Sequence, residues 1–260
     1  MLIIIILVLV ILCILFLPYP REEFYLMAIL PFINNFNKRS PLPYRKRNIK
    51  IITAEDRKNE YIVLHDLSFS RYAQKHGYEY TRLDNCPKWQ STTYWCKIHK
   101  VKEMLNTDCD YVMWVDSDTI IVKDDEPLDK YISNFGEPDI IIGYDGTWPF
   151  NNIFRCNAGV FLIKNSEVGR QFIEDCLIEI HNRDKCVING KETGNWSGLC
   201  YEQGIMNMLL KTKYSKNVYS DISTKFILNY NDKIYDTCVL HLAGSSNKER
   251  SQIFGNKIFK

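Results

Sequence analysis

From about residue 48 onward the chain alternates between short apolar runs and longer stretches whose apolar residues recur every three or four positions. "IKIITA" (Ile49–Ala54) reads as a buried strand. Residues 56–76 read as a helix with Tyr61, Leu64, Ser68 and Tyr72 near one face and Gly77 as its stop. "YEYTRL" follows as a strand, and Trp95, Ile98, Val101 and Leu105 step at helical spacing. "YVMWV" is apolar at every position, which suits a strand covered on both faces, and "DIIIGYD" and "AGVFLIKN" share that character. Ser166 is placed to cap a helix in which Val168, Phe172, Ile173, Cys176, Leu177 and Ile180 share a face. A shorter helix begins near Glu202, and "KFIL" and "VLHLA" supply late strands. This alternation predicts an α/β fold with a mixed, mostly parallel central sheet.

The first 47 residues differ in kind. Residues 2–17 are an unbroken apolar run closed by Pro18, a little short of the ~20 residues that span a bilayer comfortably. A cleaved signal peptide would want a basic amino-terminal region and a small-residue cleavage site. "PYPREEF" offers no such site, so residues 1–18 read as an uncleaved signal-anchor helix. Residues 19–47, with Pro20, Pro31, Pro41 and Pro43, read as a stem, and Lys38, Arg39, Arg45, Arg47 and Lys50 as a solvated basic tether near the membrane. Residues 48–260 form the remaining domain. The net charge of +2 comes with no nucleic-acid-binding motif, so no nucleic-acid partner is expected. Eight cysteines lie beyond the apolar run, enough for up to four bridges in an oxidising compartment; buried, unpaired small hydrophobes are the alternative. Asn195-Trp196-Ser197 is one glycosylation sequon.

Within "YVMWVDSDTIIV" (residues 111–122), Asp116 and Asp118 interrupt what otherwise reads as core. An unpaired buried carboxylate is costly, so the pair belongs where the strand ends. In an open parallel sheet that edge is where ligands bind. In an extended segment residues i and i+2 point the same way, so both carboxylates can face one ion. Hard oxygen ligands suit Mg²⁺ or Mn²⁺, which complete their shells with water and phosphate oxygens. Two solvated acids capping a turn would satisfy the same three residues.

The wider pattern decides between them. "YVMWVDSDTIIV", "CNAGVFLIKNS" (156–166), "YEQGIMNMLL" (201–210) and "VLHLAG" (239–244) follow in this order. Together they resemble the nucleotide-sugar-dependent GT-A glycosyltransferases, most closely glycosyltransferase family 34, over residues 49–246. The resemblance implies a Rossmann-like GT-A fold in a single-pass type II membrane protein of the Golgi or another secretory-pathway membrane, its catalytic domain lumenal. It implies a nucleotide-sugar donor, UDP-sugar before GDP-mannose, and a glycan or glycoprotein acceptor. Asp116, Asp118 and His241 match the family's metal ligands, and the imidazole shifts the expected ion toward Mn²⁺, with Mg²⁺ second. Asn157, Ala158 and Gly159 match the sugar-pocket segment, and Glu202 and Gln203 match an acid–amide pair beside the anomeric carbon. The family shows a second acid where this chain has Tyr201, which leaves the transferred sugar open.

Thr53, Ala54, Lys97, Ser117 and Gly244 are expected on the donor, and Asp145 and Trp148 on the sugar or acceptor. The family's basic residue for the diphosphate is delayed here to Lys248 or Arg250. Family 34 retains anomeric configuration, through a carboxylate nucleophile or through front-side attack. Two other functions compete: a degenerate membrane-anchored glycan-binding module and a haloacid-dehalogenase-type phosphatase. The phosphatase pattern D-x-D-x-[TV] wants Thr or Val where this chain has Ile120.

Overall fold

The computed structural model describes residues 40–55, 57–83, 94–145, 156–181, 186–188, 191–192, 198–221, 226–229 and 237–259. The expected membrane helix, most of the stem, the sequon and Trp148 lie outside these residues. Among the described residues no helix is long and apolar enough to cross a membrane.

Among the described residues seventeen elements follow one another. They are β1 (Ile49–Ala54), α1 (Glu60–His76), β2 (Glu79–Leu83), α2 (Cys96–Leu105), β3 (Tyr111–Val115), β4 (Thr119–Ile121), α3 (Leu128–Asn134), β5 (Ile140–Tyr144) and β6 (Cys156–Lys164). After these come α4 (Glu167–His181), β7 (Val187–Ile188), β8 (Lys191–Glu192), α5 (Glu202–Lys211), β9 (Val218–Asp221), β10 (Ile227–Asn229), β11 (Val239–His241) and α6 (Asn247–Ile258). Six strands form the main sheet in the order β2-β1-β3-β6-β5-β9. β1 pairs parallel with β2 and β3, and β5 with β9, whereas β6 runs antiparallel between β3 and β5. The sheet is therefore mixed, as expected.

The all-apolar strands are explained by two cores, one on each face. In β3, Val112 and Trp114 join Ile98 and Val101 of α2, Phe172 and Cys176 of α4, and Ile205 of α5. Tyr111, Met113 and Val115 point the other way, to Phe69 and Tyr72 of α1 and to Leu128 and Ile132 of α3. Alternation along a strand with both faces covered gives a continuous apolar run. Ser166 caps α4 as expected, accepting a hydrogen bond from the Gly169 N–H at 3.1 Å. α1 starts at Glu60, four residues later than the periodicity suggested, and stops at Gly77 with φ +68°.

One expectation is corrected, and the alternatives left open for the cysteines are both found. Arg47 is not part of a solvated tether: it is buried, donates to the Asp129 carbonyl at 3.1 Å and to Ser133 Oγ at 3.1 Å, and pairs with Glu137, to which the exposed Arg45 also donates at 2.9 Å. A buried guanidinium needs such partners, and α3 supplies them at the amino-terminal edge of β1. The cysteines are mixed: Cys186 bonds Cys200, Cys96 is disulfide-bonded to a residue outside the described ones, and Cys109, Cys156, Cys176 and Cys238 are free and buried. These four behave as small hydrophobes within the two cores.

Candidate active site

β3 ends at Val115, and the chain turns at once. The Thr119 N–H and Oγ1–H both donate to the Asp116 carbonyl, at 3.1 and 2.6 Å. Asp116 and Asp118 therefore occupy a β-turn rather than the extended segment the sequence suggested. The turn still converges their carboxylates and sends Ser117 the opposite way, where its hydroxyl donates to Glu55 Oε2 at 2.5 Å. The turn is held on its other side by the Asp116 N–H, which donates to the Gly159 carbonyl at 2.7 Å. His65 is buried in α1, and its Nδ1 lies 2.7 Å from the Thr119 carbonyl, which requires the Nδ1–H tautomer.

His241 reaches the turn through strand pairing. β4 begins one residue after Asp118 and runs antiparallel to β11, which sets His241 opposite Thr119. The Leu242 N–H then donates to the Asp118 carbonyl at 2.9 Å. As a result Asp116, Asp118 and His241 each offer one ligand atom, all within 4.8 Å of one another. Two carboxylate oxygens and an imidazole nitrogen fit a divalent cation such as Mn²⁺. Gly159 is needed here: a Cβ at this position would fall 2.1 Å from His241 Cε1. The imidazole packs directly on the glycine backbone.

The carboxylates are matched by cations. Lys97 Nζ, on α2, lies 3.0 Å from Asp116 Oδ1, 3.1 Å from Glu202 Oε1 and 3.2 Å from the Ala158 carbonyl. Trp114 Nε1–H donates to the same Asp116 Oδ1 at 2.6 Å. Arg250 Nη2 lies 2.7 Å from Asp118 Oδ2, and His241 Nε2 lies 3.2 Å from Asp118 Oδ1. Burial opposes ionisation of Asp118, but the His241 imidazole and Arg250 outweigh it and hold the carboxyl well below its usual range. Burial would lower His241, and the Asp118 charge reverses this and raises it. Glu202 is raised, first by burial and then by Asp116, with Lys97 pulling against both.

β6 carries Asn157, Ala158 and Gly159 through an irregular register, in which Ile142 pairs with Phe161 but Gly143 with Asn157. At this irregularity the main-chain groups of residues 158–159 pair with Gln203, Lys97, Asn157 and Asp116. The Ala158 N–H donates to Gln203 Oε1 at 2.9 Å, and the Gly159 N–H to Asn157 Oδ1 at 2.8 Å. Gln203 Nε2 is buried without a hydrogen-bond partner among the described residues. Asn207, one turn further along α5, brackets Cys156 by accepting from its N–H at 2.7 Å and donating to its carbonyl at 2.9 Å.

Of the residues expected here, Asp116, Asp118, His241, Lys97, Ala158, Gly159, Glu202 and Gln203 are brought together. Thr53 and Ala54 lie at the same edge, at the end of β1, and Asp145 follows β5. Gly244 is exposed in a left-handed conformation with φ +76°. Lys248 is exposed, whereas Arg250 is buried against Asp118. Sequence reading missed Trp114, His65 and Glu55. Only Glu55 left a signal, as an acid directly beyond a strand's carboxyl end. Its carboxyl falls to about 2 because hydrogen bonds from Arg57 and Ser117 outweigh burial.

Residues 46–137 match the galactosyl transferase GMA12/MNN10 family. The match takes in Asp116 and Asp118 and stops short of Gly159, Glu202 and His241. No curated protein matches the chain. Among solved structures, a glycosyltransferase involved in the glycosylation of the major capsid of PBCV-1 aligns with TM-score 0.60 and 14% identity, covering 80% of this chain and 99% of that one. At this identity the likeness is one of fold. A197 from STIV aligns at TM-score 0.39 and 14% identity over 66% of this chain and 81% of its own, too distant to carry an argument.

Proposed function

We propose that this chain, a glycosyltransferase resembling the GMA12/MNN10 family, moves a hexose or pentose from a nucleotide-sugar to a glycan or glycoprotein hydroxyl with a divalent metal. The observation that carries the reading is the convergence of Asp116, Asp118 and His241 at the carboxyl edge of the sheet, beside the Lys97–Glu202 pair. A bound Mn²⁺ or Mg²⁺ would supply Lewis-acid stabilisation of the charge that develops on the leaving diphosphate.

The chain's own groups account for the rest. Lys97 holds Asp116 in place and keeps a positive charge beside Glu202. Glu202 is the acid positioned for the reacting sugar, and the Lys97 charge favours its ionised form against burial. An ionised Glu202 would support a positive charge growing at the anomeric carbon, whether it bonds that carbon or flanks a front-side attack. Gln203 has a spare amide donor, because its oxygen is engaged by the Ala158 N–H. UDP-sugars are the favoured donors and GDP-mannose the second choice. The apolar run at residues 2–17 and the Cys186–Cys200 disulfide support a type II protein of the Golgi or another oxidising secretory compartment.

The test is a donor panel. UDP-galactose, UDP-glucose, UDP-xylose, UDP-N-acetylglucosamine and GDP-mannose are each offered with Mn²⁺, and sugar release and thermal shift are measured. One donor is expected to give both. No release and no shift with any of them would turn the reading toward a glycan-binding module.

A further inference from the structure

We infer that Arg250 is a positioning residue that makes cation binding at Asp116, Asp118 and His241 depend on the donor's diphosphate; this rests on the reading just given. Arg250 is buried near the start of α6, a helix capped by Ser246, whose Oγ accepts from the Glu249 N–H at 3.2 Å. Its guanidinium is fixed from three sides. Nε and Nη2 donate to the Leu242 carbonyl at 3.4 and 3.3 Å, Cζ lies 5.3 Å from the Tyr61 ring centroid, and Nη2 meets Asp118 Oδ2 at 2.7 Å. A planar fork held this way does not swing aside readily. It commits one oxygen of Asp118 and leaves Oδ1, the atom beside His241, as the oxygen to offer a cation.

Lys97 neutralises Asp116 more evenly, its Nζ lying 3.0 Å from Oδ1 and 3.2 Å from Oδ2. Each carboxylate that would hold the ion therefore already carries a cation of the chain itself. The acids at the site are Asp116, Asp118 and Glu202, the cations in contact with them are Lys97 and Arg250, and the Glu55–Arg57 ion pair beyond Ser117 adds no net charge. Two bare carboxylates and an imidazole would attract a free divalent ion strongly. With Lys97 and Arg250 in place, adding that ion leaves positive charge in excess, and a diphosphate cancels it. Cation and nucleoside diphosphate should accordingly bind together, each weakly without the other. Arg250 sets how strong that coupling is.

The test reads metal binding and needs no turnover. Free Mn²⁺ is followed by its electron paramagnetic resonance signal as the full chain is added, with no nucleotide, with UDP and with GDP. Wild type is expected to bind Mn²⁺ at least about tenfold more tightly with one of the diphosphates. Arg250→Gln should bind Mn²⁺ alone about tenfold more tightly than wild type and lose most of the diphosphate effect, because a repelling charge is gone. Arg250→Lys, which keeps the charge and loses the fork, should retain the coupling within about threefold.

A residue that merely shaped the site would move the first number the other way. Mn²⁺ binding to Arg250→Gln that is equal to or weaker than wild type overturns the inference, with folding checked by circular dichroism. If Arg250→Gln does not fold, loss of coupling in a folded Arg250→Lys overturns it. If wild type binds no Mn²⁺ with either diphosphate, the proposed function fails as well; the first two outcomes leave it standing.

Discussion

Two ionic clusters sit at opposite edges of the same sheet. At the amino-terminal edge, Arg45 and Arg47 meet Glu137 and Asp129. At the carboxyl edge, Lys97 and Arg250 meet Asp116, Asp118 and Glu202. Both bury charge and pair it, so pairing does not tell a site from a strut. They differ in what remains exposed. At the amino-terminal edge the exposure lies on the cation Arg45, at 51%, with Arg47 and Asp129 at 0%, whereas at the carboxyl edge it lies on the ligand-type carboxylates, Asp116 at 30% and Asp118 at 15%. The carboxyl-edge cluster also adds an imidazole to the two carboxylates, which gives three ligand-type atoms converging on one point. The amino-terminal cluster joins the segment before β1 to α3 and offers no such convergence among the described residues.

The sharpest way to separate the clusters is to damage each. His241→Ala should lower metal-dependent sugar release by about a thousandfold while shifting the melting temperature little, measured on one preparation by product assay and calorimetry. Arg47→Met should do the reverse. It leaves Asp129 and Glu137 without their buried partner and should cost about 3–5 kcal/mol of stability in urea unfolding, with turnover per folded molecule unchanged. A smaller effect is expected of Gly159→Ala. The added methyl would sit 2.1 Å from the His241 ring, so the imidazole must move. Sugar release should fall by about ten- to a hundredfold, and the Mn²⁺ concentration for half-activity should rise.

The smallest effect is a pH dependence. Hydrogen bonding from Arg45, opposed by burial and reinforced by Arg47, lowers the Glu137 carboxyl from 4.5 to about 2. A depressed carboxylate stabilises the fold above its unfolded value, and the contribution fades as pH falls from about 4.5 toward about 2. Glu137→Gln should flatten that part of the stability curve. A curve identical to wild type would show that the amino-terminal cluster contributes nothing through ionisation.

The same comparison marks what the sequence made legible. β3 and D-x-D are local: an apolar run and two acids are adjacent in the chain, so the strand end and its ligands could be read together. His241 was reached through a resemblance, because what brings it to Asp118 is the antiparallel pairing of β4 with β11. Arg250 reaches Asp118 from α6, which follows a left-handed Gly244, and no spacing rule encodes that path. The amino-terminal cluster misled for a related reason. Basic residues beside prolines look like a solvated stem until α3 brings Asp129 and Ser133 against Arg47. The turn at Asp116 shows the same limit, since convergence was foreseen and its geometry was not.

Metal-dependent transfer is tested most directly by sugar release from the donor that the panel selects, in Mn²⁺ and in EDTA, for wild type and Asp118→Asn. Wild type should release sugar in Mn²⁺ and lose at least about a thousandfold in EDTA, and Asp118→Asn should sit near the EDTA level in both buffers. Full release by both proteins in EDTA would contradict the assignment of Asp116, Asp118 and His241.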